Sequence, residues 1–229
     1  MESYDVNGLV QRVKNVIDQN MESDGMEAFG DVDTLSMVQV LSENLLPAIR
    51  LIETNASPEL LGDAKDVPLT MESNPFDDGG ELVCKSGALP DDFMRFVAFR
   101  MSDWKKVVTE AITETSAMYA MQSSRVRAVR GNTQKPVVAI VHGPNGLVIE
   151  AYTTHTDSTV ALAKYLPNPS ISDDGRVMLC PLLVDAIVYA TAYLVANSYN
   201  AINQAQIFLS TAVSLAGIRS AQQPTTDNQ

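Results

Sequence analysis

Residues 182–196 read LLVDAIVYATAYLVA, with one charge, Asp185, in fifteen positions. A stretch this apolar has two physical outlets, a bilayer or a protein core. Ala and Thr within it, Asn and Ser just after it, the lack of basic flanks and the lack of a second such stretch favour the core. The expected element is a helix central to a bundle, apolar nearly all round, reaching an interface through the hydroxyls of Tyr189, Tyr193 and Tyr199. A second helix over 201–217 follows a break at Asn197, Ser198 and Asn200, and Gly217 is a natural C-cap.

The rest of the chain supplies partners for that helix. Val6, Leu9, Val10, Val13, Val16 and Ile17 recur at three- and four-residue steps, with Asp5 at the start, where a carboxylate favours the helix dipole. A second stripe runs Leu35, Val38, Leu41, Leu45, Ile49, Ile52, and Pro47 inside it predicts a kink or break after Leu46. Ser57-Pro58-Glu59 reads as a cap opening one short turn. Residues 62–80 read as irregular and 81–85 as one short strand. The segment 89–112, LPDDFMRFVAFRMSDWKKVVTEAI, carries Pro90 and two carboxylates before the stripe Phe93, Phe96, Val97, Met101, Trp104, Val108, Ile112. It predicts a third long helix, packed on the closing helices through Ile187, Leu194 and Phe208.

After Val126 the character changes. Residues 136–141 and 147–152 are β-rich and flank His142-Gly-Pro-Asn-Gly146, a hairpin signal, with 160–166 as a further strand. The expected fold is therefore mainly α: a helical bundle body over 1–125, a β-hairpin or small-sheet insert over 126–177, closing helices over 178–217 and a flexible tail over 218–229.

The chain has 229 residues, 45% of them apolar, and 28 acidic against 16 basic side chains, a net charge of −12. That balance opposes gripping nucleic acid phosphates or docking on an anionic membrane. The polar N-terminus has no apolar leader, and the expectation is an intracellular acidic globular protein. Cys84 and Cys180 offer neither a disulfide framework nor CxxC spacing. His142 and His155 fit no ligand template, and the Asp31/Asp33 and Asp77/Asp78 stretches lack the closing Glu of a calcium loop. No nucleotide-binding glycine pattern, GxSxG elbow or Cys–base pairing occurs. No catalytic, metal or cofactor site is expected, and the chain reads as a non-enzyme.

Two candidate contacts remain. Arg125, Arg127 and Arg130 cluster in an acidic chain, as a nucleic-acid contact, a charge-pairing patch against an acidic neighbour, or cations at a helix C-terminus. The hairpin tip, His142, Pro144, Asn145 and Gly146, is a candidate assembly element, because its strands carry apolar residues on both faces and call for cover on both sides.

The residues 89–104 (LPDDFMRFVAFRMSDW), 122–132 (QSSRVRAVRGN) and 134–140 (QKPVVAI), placed after the LLPAIR segment at 45–50 and before a closing helical pair, resemble the head-to-tail adaptor (ring or tail-tubular) proteins of short-tailed phages, most closely the crAss-like group. The resemblance implies a virion structural protein at the portal vertex. Its copies, usually a dodecamer, would form a ring between the portal and further tail or ring proteins, with DNA passing through the lumen unheld and no membrane involved. An acidic wall suits that passage, since it repels phosphates. The competing reading is an acidic helical binding or regulatory protein of the host cytoplasm.

Overall fold

The computed structural model describes residues 1–20, 37–76, 81–124, 126 and 128–218. It overturns the mainly-α expectation: among the described residues the structure is mixed, 38% helical and 32% strand, with ten strands in three sheets and five helices. Contacts divide the chain into two units, one formed by Met1–Asp63 with Pro169–Gln229, the other by Ala64–Asn168. The sheets of the second unit begin well before residue 126, so β structure is not an insert confined to 126–177.

The first unit is helical. Strand β1 (Glu2–Asp5) leads into helix α1 (Val6–Asn20), whose start is held by the Asp5 carboxylate accepting the Gly8 N–H at 2.8 Å. Leu9, Val10, Val13 and Ile17 are buried, as their spacing predicts. Helix α2 (Met37–Asn55) runs unbroken through Pro47. The predicted break fails because Pro47 is solvent-exposed, so the carbonyl one turn back can be satisfied by water. A 3₁₀ turn (Pro58–Leu61) follows as expected and buries Leu61, although the Ser57 side chain makes no capping hydrogen bond. Strand β10 (Arg176–Leu179) pairs antiparallel with β1, and a second 3₁₀ turn (Pro181–Leu183) opens helix α4 (Val184–Ser198).

Helix α4 contains most of the apolar run 182–196. By length and composition it is able to cross a membrane, but it packs against α1, α2 and helix α5 (Ile202–Leu215) and buries Val184, Ile187, Val188 and Val195 among them. Gly217 closes α5 with φ +60°, and the Ile218 N–H returns to the Val213 carbonyl at 3.0 Å.

The second unit consists of two sheets and one short helix. The five-stranded sheet orders β3 (Glu72–Pro75), β4 (Leu82–Ala88), β8 (Gly146–His155), β7 (Val137–Gly143) and β6 (Ile112–Thr113). The three-stranded sheet orders β2 (Lys65–Asp66), β9 (Val160–Pro167) and β5 (Phe93–Met101). Helix α3 (Ala117–Gln122) is capped by the Ser116 hydroxyl.

Strand β5 is the largest correction. The segment expected as a third long helix pairs along nearly its whole strand with β9, from Phe93 opposite Pro167 to Met101 opposite Val160. Val97, Phe99 and Met101 are buried while Arg100 is exposed, a period of two. Aromatic and β-branched residues favour this choice. Pro90-Asp91-Asp92, read as a helix start, is a turn in which the Phe93 N–H donates to the Pro90 carbonyl. Trp104 is buried, but with Phe99, Met101, Val138, Ile149 and Ala151 between the sheets, not on the closing helices; Ile187 and Phe208 are buried within the helical unit.

The hairpin forms as predicted. Gly143 pairs with Gly146 around Pro144 and Asn145, and Gly146 takes φ +122°, a conformation glycine adopts without strain. The strand expected over 160–166 also forms, but joins the other sheet.

Candidate assembly surfaces

The hairpin strands carry apolar residues on both faces, and both faces are covered within the unit. One face contributes Val138, Ile149 and Ala151 to the core between the sheets. The other buries Ala139, Val141 and Tyr152 with Cys84, against Phe76 and Tyr119. The requirement for a neighbour to supply that cover therefore does not arise. The tip stays in solvent: His142, Pro144, Asn145 and Gly146 are exposed. His142 makes two contacts to one carboxylate, Nδ1 to Glu114 Oε1 at 3.0 Å and its N–H to Oε2 at 3.3 Å, which hold the Glu114 carboxyl below its usual range.

Of the three arginines, Arg125 and Arg127 lie outside the described residues. Arg130 is only 3% exposed. Its guanidinium lies 3.6 Å from the centre of the Phe76 ring and donates to the Ser124 carbonyl at 3.2 Å, just past the end of α3. It is thus spent on the fold of the sheet unit, near the helix-terminus role that its position suggested. Beside it, the Gln122 side chain accepts the Gly131 N–H at 2.8 Å, and the Thr153 hydroxyl donates to the Gly131 carbonyl at 2.6 Å.

What the sequence reading missed is the apolar surface on this same segment. Met118 and Met121 on α3, then Val126 (58%) and Val129, stand exposed within twelve residues. Methionine suits a surface that is covered by a partner, since its flexible thioether adapts to irregular shapes. The available signal was that AMYAMQ has no place in any helical stripe, so its methionines had no core to enter.

The helical unit has its own apolar surface. Helix α5 exposes Ile202 and Ile207 (59%), and residues 186–218 contain no Asp, Glu, Lys or Arg. A groove of about 490 Å³ runs between α1, α4 and α5, floored by Val16, Val188 and Leu215, and among the described residues the only charged side chains lining it, Arg12 and Asp185, pair with each other.

The polar clusters are internally satisfied. Asp103 accepts the hydroxyls of Thr154 and Ser158, each at 2.7 Å, and the His155 N–H at 3.0 Å. Burial alone would raise its carboxyl, but these three bonds outweigh that and hold it below the usual range. Lys85 enters the same loop as a buried cation donating to the carbonyls of Thr156 (2.8 Å) and Ser158. Together they pin the connection between β8 and β9, and both carboxylate oxygens of Asp103 already have donors. Cys84 and Cys180 are free and buried, and burial with the nearby Glu150 charge pushes the Cys84 thiol up to about 12, which makes it a poor nucleophile. Among the described residues no group of three His, Cys, Asp or Glu side chains is placed to hold a metal.

Compared with known proteins, the chain matches no family model and no curated sequence.

Proposed function

We propose that this chain is a virion structural protein, a subunit of an oligomeric ring that joins a phage portal to the tail and contributes to the DNA channel. One observation carries the reading: each unit exposes its own apolar surface, and the two differ in chemistry. The sheet unit offers Met118, Met121, Val126 and Val129 in a segment punctuated by arginines, and the helical unit offers the charge-free α5. A subunit of a cyclic ring needs two unlike contact surfaces, one for each neighbour. The sequence resemblance to head-to-tail adaptors supports the same reading, as does a net charge of −12, which lets a duplex slide past without adhering. The virion portal vertex, with a host-cytoplasmic phase during assembly, follows as the place of action.

The test is to mix purified chain with the portal protein of the same phage and image the product by electron microscopy. A ring of this chain seated on the portal is the expected result. A chain that stays apart from the portal at every ratio, and is missing from the vertex density of whole virions, would overturn the reading.

A further inference from the structure

We infer that the groove between α1, α4 and α5 receives Ile207 of α5 from a second copy of this chain. The inference rests on the adaptor reading and gives the exposed α5 surface its receptor in the neighbouring subunit, which leaves the surface of Met118, Met121, Val126 and Val129 to the portal or tail side.

Three observations place the contact here. First, the groove and the exposed aliphatic side chains adjoin along one helix. Ile202 and Ile207 project from the first half of α5, whereas Thr211 and Leu215 in its second half line the groove. Ile207 lies one turn before Thr211 and two before Leu215 on the same face, about 6 and 12 Å along the axis at about 1.5 Å per residue, and the Thr211 hydroxyl donates to the Ile207 carbonyl at 2.9 Å. Seating Ile207 of one copy in the groove of another joins unlike surfaces, as a cyclic ring requires.

Second, the charge selects the occupant. Two copies at −12 repel each other over most of their surfaces. They can approach closely only through a face without net charge. Helix α5 has no charged residue, and among the described residues the charged side chains lining the groove, Arg12 and Asp185, cancel as a pair. A basic partner would instead be steered to the acidic surfaces and would gain nothing from a neutral groove.

Third, the groove has the composition of a receptor for an aliphatic side chain with a polar rim. Val16, Val188 and Leu215 form the apolar part, and Asn15, Tyr189 and Thr211 offer hydrogen-bonding groups around it.

The experiment uses the full chain in two forms. In sedimentation equilibrium, the wild-type chain should associate with rising concentration, and Ile207→Asp should weaken association ~100-fold or more by placing a charge in an apolar contact, while Ile207→Leu keeps it. In the second form, Asn15→Cys and Ile207→Cys are made on separate copies. Oxidation should give a disulfide-linked pair in the mixture in excess of either variant alone, and Cys84 and Cys180, being buried, do not compete. A wild-type chain that stays monomeric and gives no mixed crosslink, or an Ile207→Asp chain that associates normally, would overturn the inference. In those cases the adaptor reading still stands or falls on portal binding. Conversely, a mixed crosslink in a chain that never joins the portal would keep the contact and remove the adaptor reading.

Discussion

The indole Nε1 of Trp104 donates a hydrogen bond to the backbone carbonyl of Thr153 at 3.0 Å, tying the turn that follows β5 to β8 of the other sheet. The same ring meets Phe99 edge-on, with centroids 5.6 Å apart at 70°. Trp104 is thus an apolar filler between the sheets and a polar link across them.

Trp104→Ala should destabilise the sheet unit by about 3–5 kcal/mol, because it leaves a cavity among Phe99, Met101 and Ile149 that a β framework closes only in part. Trp104→Phe keeps most of the volume but leaves the Thr153 carbonyl without its donor, at a cost of about 1–3 kcal/mol. Urea melts of the two variants should rank them in that order. Equal losses would mean that packing alone matters there.

Glu53 on α2 is fully buried, with its carboxylate accepting the Cys180 N–H at 3.4 Å. Burial raises its carboxyl from 4.5 to about 7, against a partial lowering by that bond. The folded chain therefore holds a proton that the unfolded chain releases between those values. Stability from this group is full below pH 4.5 and is lost as the pH rises toward 7, by about 3 kcal/mol in all. Glu53→Gln should match wild type in urea melts at pH 4.5 and exceed it at pH 8. A constant difference across that range would refute the assignment.

Asp103 has the opposite sign. Its carboxyl is held below the usual range, so its contribution is complete at neutral pH and is lost as the pH falls through its folded value. Asp103→Ala should cost about 1–3 kcal/mol at neutral pH, since it strips three donors of their acceptor, and should cost progressively less in acid. Hydrogen exchange should show the loss concentrated at residues 155–159, where the Lys85 and Asp103 bonds converge.

At the hairpin tip, Pro144→Ala with Asn145→Lys should leave stability within about 0.5 kcal/mol, because both side chains are exposed. The tip acts in assembly if that folded variant fails to enter virions. Replacing all of 137–152 would not test the point, since Val138, Ile149 and Ala151 are core residues and the sheet unit would not survive their removal.

The elements legible in the sequence are those whose signal is local. Helices α1 and α2 repeat their apolar residues on one face, α4 is apolar almost throughout, and the Pro-Asn-Gly turn sets its own hairpin. The glycine after α5 announced its left-handed conformation in the same way. Segment 93–101 carried two competing periods. Phe93, Phe96, Val97 and Met101 fit a helix, whereas Val97, Phe99 and Met101 fit a strand, and the choice fell to β9, a partner about sixty or more residues downstream. No local rule contains that partner, because the strand's hydrogen bonds exist only once the two segments meet. The fate of the candidate contacts was tertiary for the same reason: Arg130 is withdrawn under Phe76, while Met118, Met121 and Ile207 remain outside because no core element reaches them. Side-chain chemistry was written in the chain, but exposure is set by which neighbours arrive, and that is a property of the packed fold.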